Sequence, residues 1–162
     1  MKQQQANMYY EQGKMFFSKK HLPEALSAFE KAYELLPNDA KVNDGIGRIL
    51  HYLGRNDEAL DCLKRAVDLN SVDAGTYYLL GYFCHKKHDF DKAIKYYEDA
   101  VYFKEDFAIA LLNLGICYYE TLQLGKTVVA MEKALKIGLD SGGVEDAKMY
   151  VRLVADLINR SF

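Results

Sequence analysis

His51 and His85 occupy equivalent slots of an internal repeat, and His85 is followed by His88 at a spacing that puts both imidazoles on one helix face. Imidazoles so placed begin a metal site, but such a centre needs further carboxylate or thiolate donors at fitting spacing. No such cluster stands beside them. The three cysteines, Cys62, Cys84 and Cys117, include no CxxC pair and sit among apolar helix positions. An odd count without an export signal reads as reduced, buried thiols rather than a disulfide framework. Gly142-Gly143 follows no strand and reads as a hinge, not a phosphate cradle. No phosphate-binding loop, nucleophile elbow or zinc-helix motif occurs. The expectation is a protein that is not an enzyme and holds neither metal nor cofactor.

What remains is the chemistry of recognition. Residues spaced i, i+4, i+7 share a helix face, and four such sets recur: Tyr10, Lys14 and Phe17; Asp44, Arg48 and His51; Tyr78, Tyr82 and His85; Leu112, Ile116 and Tyr119. They run from mixed charge through aromatic to aliphatic. Tyrosines on a helix face offer large amphipathic contact area at low entropic cost, which protein interfaces favour. The bland alternative is that some of these rings pack between neighbouring helices, and that Asp44 with Arg48 is an ordinary solvated pair.

The elements that hold these sets follow from the repeat. Gly13, Gly47, Gly81 and Gly115 are evenly spaced, with no gap. The same step links Ala6, Ala40, Ala74 and Ala108, and also Ala32, Ala66, Ala100 and Ala134. A further series, Ala25, Ala59 and Ala93, ends in Thr127, and a bulky one reads Phe29, Leu63, Tyr97 and Met131. Small residues are needed where two helix axes approach closely, and large ones fill the space beside them. Glycine inside a helix costs about 1 kcal/mol relative to alanine, so four at one slot imply a recurring close contact with the second helix of a hairpin.

Asn38-Asp39, Asn56-Asp57 and Asp89 read as N-caps, Pro23 as a first-turn residue and Gly54 as a helix end. These signals place first helices near 4–19, 38–53, 72–87 and 106–121, and their partners near 23–36, 57–69, 90–103 and 124–137. After Gly138 the register fails, since Met149 takes the next glycine slot. A last helix is expected from about Val144 to Arg160. It carries two apolar rows, Ala147, Val151, Val154 and Ile158, and Tyr150, Leu153 and Leu157. A cap for a stack needs one such row. The second either packs within the last hairpin or buries surface against a second copy, a homodimer through this helix.

The repeat resembles the tetratricopeptide-repeat family, whose period is about 34 residues and whose pattern runs W-x2-L-G-x2-Y, then A-x3-F, then P. Here it reads Tyr77-x2-Leu80-Gly81-x2-Cys84 and Leu111-x2-Leu114-Gly115-x2-Tyr118, with Ala25-x3-Phe29 closed by Pro37 and Ala93-x3-Tyr97. The resemblance spans residues 6 to 141. Tryptophan is absent, the closing proline survives once, and Thr127 replaces an alanine. It implies an all-α, right-handed α-solenoid of four hairpins (6–39, 40–73, 74–107 and 108–141) plus a capping helix near 143–160, a single domain over 1–162.

It also implies a function. In this family the first helices line a concave groove, so the four sets above become the expected peptide-binding groove of an adaptor or chaperone that holds a segment of another protein. The alternative is a scaffold that self-associates through the last helix or the groove. Family members that clamp a chaperone tail use lysine, asparagine and arginine for a terminal carboxylate. The matching positions here are Tyr10, Lys14, Gly45, Gly75 and Leu79, or one repeat later Asp44, Arg48, Leu79, Ile109 and Asn113. Neither set supplies that clamp of charge-assisted hydrogen bonds.

Composition agrees with a packed, non-basic protein. The chain has 162 residues, a formal charge of −2, 50% hydrophobic and 27% charged residues, which argues against disorder and gives little support for nucleic-acid binding. No apolar run nears the roughly 20 residues that span a bilayer, and Met1 to Asn7 lack the apolar stretch of a signal peptide. A cytoplasmic location with no membrane partner is the expectation. Lys19, Lys20, Arg55, Lys86 and Lys87 fall at hairpin loops, where cations suit helix C-termini and an acidic partner site is a weaker reading.

Overall fold

A computed structural model describes residues 1–160, and they contain nine α-helices and no strand. In order these are α1 (Lys2–Ser18), α2 (Leu22–Leu35), α3 (Ala40–Tyr52), α4 (Asn56–Asp68), α5 (Ala74–Lys86), α6 (Phe90–Phe103), α7 (Ala108–Glu120), α8 (Leu124–Ile137) and α9 (Ser141–Asn159). They fall into two compact units, Met1–Val72 and a second beginning at Asp73. In the first, hairpins α1/α2 and α3/α4 stack through α2 and α3. In the second, α5/α6 and α7/α8 stack through α6 and α7, and α9 packs on α8 and α7. The class is all-α, with helix hairpins stacked as in an α-solenoid.

The glycine series does what its periodicity demands. A Cβ on Gly13 would lie 2.9 Å from the Phe29 ring, on Gly47 2.7 Å from Leu63, on Gly81 2.7 Å from Tyr97 and on Gly115 2.8 Å from Met131. Each bulky side chain is therefore seated directly over the glycine of its own hairpin. Gly45, which belongs to no series, makes the same approach from α3 to Phe29 of the preceding hairpin, at 2.7 Å. The two alanine series on the second helices are fully buried, whereas Ala40, Ala74 and Ala108 are half-buried at the first position of their helices. Thr127 stands in for alanine because its hydroxyl donates to the Gln123 carbonyl one turn back, at 3.3 Å, so its polar atom is not left orphaned.

Capping explains the boundaries. Asp39 accepts from the Lys41 and Val42 amides, so α3 starts at Ala40. Asp73 and Asp140 do the same for α5 and α9, and Asp89 for α6. Asn56-Asp57 is not a cap: Arg55 holds that position, Asp57 and Glu58 lie in the first turn, and Asn56 faces the His51 ring. The carboxylates there still favour the helix N-terminus. Nor is Gly142-Gly143 a hinge. Both belong to the first turn of α9, and the Gly143 amide donates to Asp140 Oδ1 at 2.8 Å.

The corner between the helices of each hairpin has a common conformation. Lys20, Gly54, His88 and Leu122, equivalent positions of successive hairpins, all take positive φ between 57° and 77°. That region is comfortable for glycine and costs roughly 1–2 kcal/mol for other residues. Three of the four corners accept it without glycine.

The described residues place α9 with one row inward. Ala147 and Val154 are buried, and Val151 and Tyr150 are half-buried against the Leu111, Leu112, Met131 and Ala134 cluster. Leu153, Leu157 and Ile158 stay exposed.

Candidate functional site

The recognition sets occupy one face of each odd-numbered helix from α1 to α7, and the packing behind that face decides what each side chain can do. In the first unit, Tyr10 leans edge-on against Phe29 at 5.5 Å. The Lys14 ammonium stands 5.5 Å from the Tyr10 ring and pairs with Glu11 at 3.0 Å. Burial raises the Tyr10 pKa, opposed by Lys14 and aided by Asp44, so α1 and α3 present these groups to one another. Arg48 donates to Asp44 at 2.7 Å with side chains only 28% and 13% exposed. A charge pair that dry is more than a solvated surface pair. His51 lies 3.3 Å from the Asn56 side-chain oxygen, and Phe17 sits against Tyr52 at 5.2 Å. All six expected residues of this unit share the surface formed by α1 and α3, with Lys14 the most open of them.

In the second unit the expected residues differ in their surroundings. Tyr78 packs against Phe107 at 5.2 Å and Tyr97 at 5.8 Å, and Asn113 donates to its hydroxyl at 3.3 Å. It is a joint between α5, α6 and α7. Tyr82 is half-exposed, its ring edge on Phe83 and the Lys86 ammonium 5.6 Å from its centroid. His85 lies against Phe90 at 5.7 Å and Tyr97 at 6.4 Å. Burial and then Lys86 lower its pKa, which favours the neutral ring. Ile116 and Tyr119 are half-buried, and Tyr119 meets Tyr150 of α9 edge-on at 5.1 Å.

Leu112 departs from the expected open face. It is 3% exposed, enclosed by Leu111, Met131, Ala134 and Ala147 under α9. Helix α9 lies on α7 and α8 much as a following first helix would, and it covers this position. Periodicity alone placed Leu112 with Tyr10, Asp44 and Tyr78, because the spacing does not record which helix comes next.

No cluster of three or more His, Cys, Asp or Glu suited to a metal occurs among the described residues. Two of the thiols are poor nucleophiles: burial pushes Cys117 up to about 12, and burial with Asp61 raises Cys62. Of the loop cations, Arg55 is engaged by Glu58 at 2.6 Å and Lys86 by the Tyr82 ring. Among the described residues no helix is long and apolar enough to cross a membrane.

Two models of the tetratricopeptide repeat match, over residues 2–71 and 45–106. The chain is similar to BBSome complex member BBS4 of Bos taurus, 37% identical over 101 residues, 62% of this chain and 19% of that protein. It is also similar to tetratricopeptide repeat-containing protein trd-1 of Caenorhabditis elegans, 28% identical over 127 residues, 78% of this chain and 16% of the relative. The chain thus spans less than a fifth of these curated relatives. Among solved structures, MamA is similar at 26% identity and a TM-score of 0.70, covering 82% of this chain and 77% of MamA. YrrB, described as a TPR protein with an unusual peptide-binding site, is similar in fold at 21% identity and a TM-score of 0.80, with 93% and 76% covered.

Proposed function

The chain belongs to the tetratricopeptide-repeat family, and from that premise we propose that it is a protein-interaction module of adaptor or chaperone type. It holds a peptide segment of another protein on the faces of its first helices. The residues that do so are Tyr10, Lys14, Phe17, Asp44, Arg48 and His51 on the first unit, and Tyr82, His85, Ile116 and Tyr119 on the second, with Tyr78 shaping the floor. The observation that carries the reading is the half-exposed state of Tyr82 beside His85, rings fixed by the packing behind them yet open on one side. Preorganised aromatic anchors lose little entropy on binding. Peptides selected on the wild-type chain from a displayed library should lose at least about tenfold in affinity on Tyr82→Ala with Ile116→Ala, as hot-spot residues do. Wild-type affinity in that double variant, with unchanged far-UV circular dichroism, would defeat the proposal.

A second reading, self-association, is favoured by one flank of α9. Asp146, Met149, Leu153, Leu157 and Arg160 are all exposed and fall on one side of that helix. Laid antiparallel against a second copy with Leu153 opposite itself, the stripe sets Met149 against Leu157 and Asp146 against Arg160, twice over. Sedimentation across a concentration series should then show a dimer that Leu153→Glu abolishes. A wild-type chain that stays monomeric at every concentration removes this reading.

A further inference from the structure

Away from the first-helix faces, each unit has a cleft between the helices of its second hairpin, which in the first unit extends onto α2. In the first unit it measures about 370 Å³ and lies over Asn43, Ile46 and Leu50 of α3. In the second it measures about 300 Å³ and lies over Leu111, Leu114 and Tyr118 of α7. These floor residues correspond one to one, two repeats apart, although Leu26, Glu30 and Tyr33 of α2 wall the first cleft and α6 contributes no lining to the second. Their rims differ in charge. Glu58, Asp61 and Arg65 edge the first cleft on α4, where Arg55 neutralises Glu58 at 2.6 Å. The corresponding positions on α8 are Lys126, Val129 and Lys133. Both carboxylates are gone and both remaining charges are positive.

We propose that the second cleft is a docking site for an acidic protein segment that carries an apolar side chain between two carboxylates. Three observations carry it. The floor is apolar, and Val129 on its rim is 66% exposed. Neither Lys126 nor Lys133 has a carboxylate partner among the described residues; the Lys126 ammonium stands 5.0 Å from the Tyr118 ring centroid, at the edge of the cleft. No acidic residue lines the cleft itself, and the Glu98 carboxylate beside it is engaged by the hydroxyl of the floor residue Tyr118. Two turns apart on one helix, the two lysines are spaced by about 10 Å along its axis. Carboxylates at i and i+7 of a helical segment are separated by the same length on one face, with positions i+3 and i+4 between them. An apolar side chain between them reaches the floor while each carboxylate meets a lysine. This site is independent of the first-helix faces.

The test is fluorescence anisotropy of a labelled helical peptide with a Glu-Ala-Ala-Leu-Leu-Ala-Ala-Glu core, titrated with the full chain, beside a peptide with lysine in place of each glutamate. The expected result is saturable binding of the acidic peptide alone, weakened by added salt. Lys126→Glu with Lys133→Glu should weaken it at least tenfold, and Asp61→Asn in the first cleft should leave it unchanged. All three altered side chains are exposed, and the peptide charge reversal reads the same property on the wild-type chain. The proposal is overturned if neither peptide binds, if both bind alike, or if the lysine reversal has no effect. It is equally overturned if the chain takes up phosphatidylserine-containing vesicles but not the acidic peptide. Peptides selected for the first-helix faces should survive the lysine reversal, so the two sites fail separately.

Discussion

Gly81→Leu should lower the melting temperature of the second unit sharply. Even the first added carbon would lie 2.7 Å from Cδ1 and 2.8 Å from Cε1 of Tyr97, a side chain with no exposed surface. The ring has nowhere to retreat, because Tyr78 and His85 pack against it. Helices α5 and α6 must part, or Tyr97 must leave its rotamer. Overpacking of this kind costs about 1–3 kcal/mol, and a full leucine belongs at or beyond the upper end. For a unit of this size each kcal/mol shifts the midpoint by roughly 4–8 °C. Gly125→Ala is the matched control: it sits on α8 with no atom within 4 Å of a new Cβ, and gains about 1 kcal/mol of helix propensity. Thermal circular dichroism distinguishes the two. A Gly81→Leu chain melting with the wild type would refute the packing role of the glycine series.

Leu112→Asp should release α9. The carboxylate would be placed among Leu111, Met131, Ala134 and Ala147, and an uncompensated buried charge costs on the order of 3–5 kcal/mol. The helix leaves more readily than the group is accommodated, since it is held by few buried side chains, chiefly Ala147, Val154 and the half-buried Val144, Tyr150 and Val151. Hydrogen exchange at the Ala147 and Val154 amides is the readout. Full protection in the variant would mean that Leu112 faces open solvent, as the i, i+4, i+7 pattern alone suggests.

The scaffold was legible in the sequence because its packing constraint is periodic. Gly13, Gly47, Gly81 and Gly115 sit opposite Phe29, Leu63, Tyr97 and Met131 for a reason that recurs in every hairpin, and recurrence makes it visible. What occurs once was hidden. Gly45 relieves the same Phe29 ring from the other side, but no counterpart in a neighbouring repeat marks it. Asp73 and Asp140 cap helices without an Asn-Asp pair of the kind that drew attention to Asn38-Asp39. Asn56-Asp57 looked like a cap because the residue types are right, while the chain enters its helix one residue earlier, at Arg55. For the candidate site, spacing assigned a face to each helix but not the neighbour covering it. Hence Tyr78 turned out to be braced by Asn113 and Phe107, and Leu112 to be covered by α9.

The hairpin corners carry a different lesson. Lys20, His88 and Leu122 adopt the backbone twist that Gly54 adopts freely, so partnership between the flanking helices, rather than residue identity, dictates the bend. A corner enforced from outside is free to drift in composition while its geometry persists. Divergent members of such a lineage would keep their knobs and sockets long after their bends had become unrecognisable.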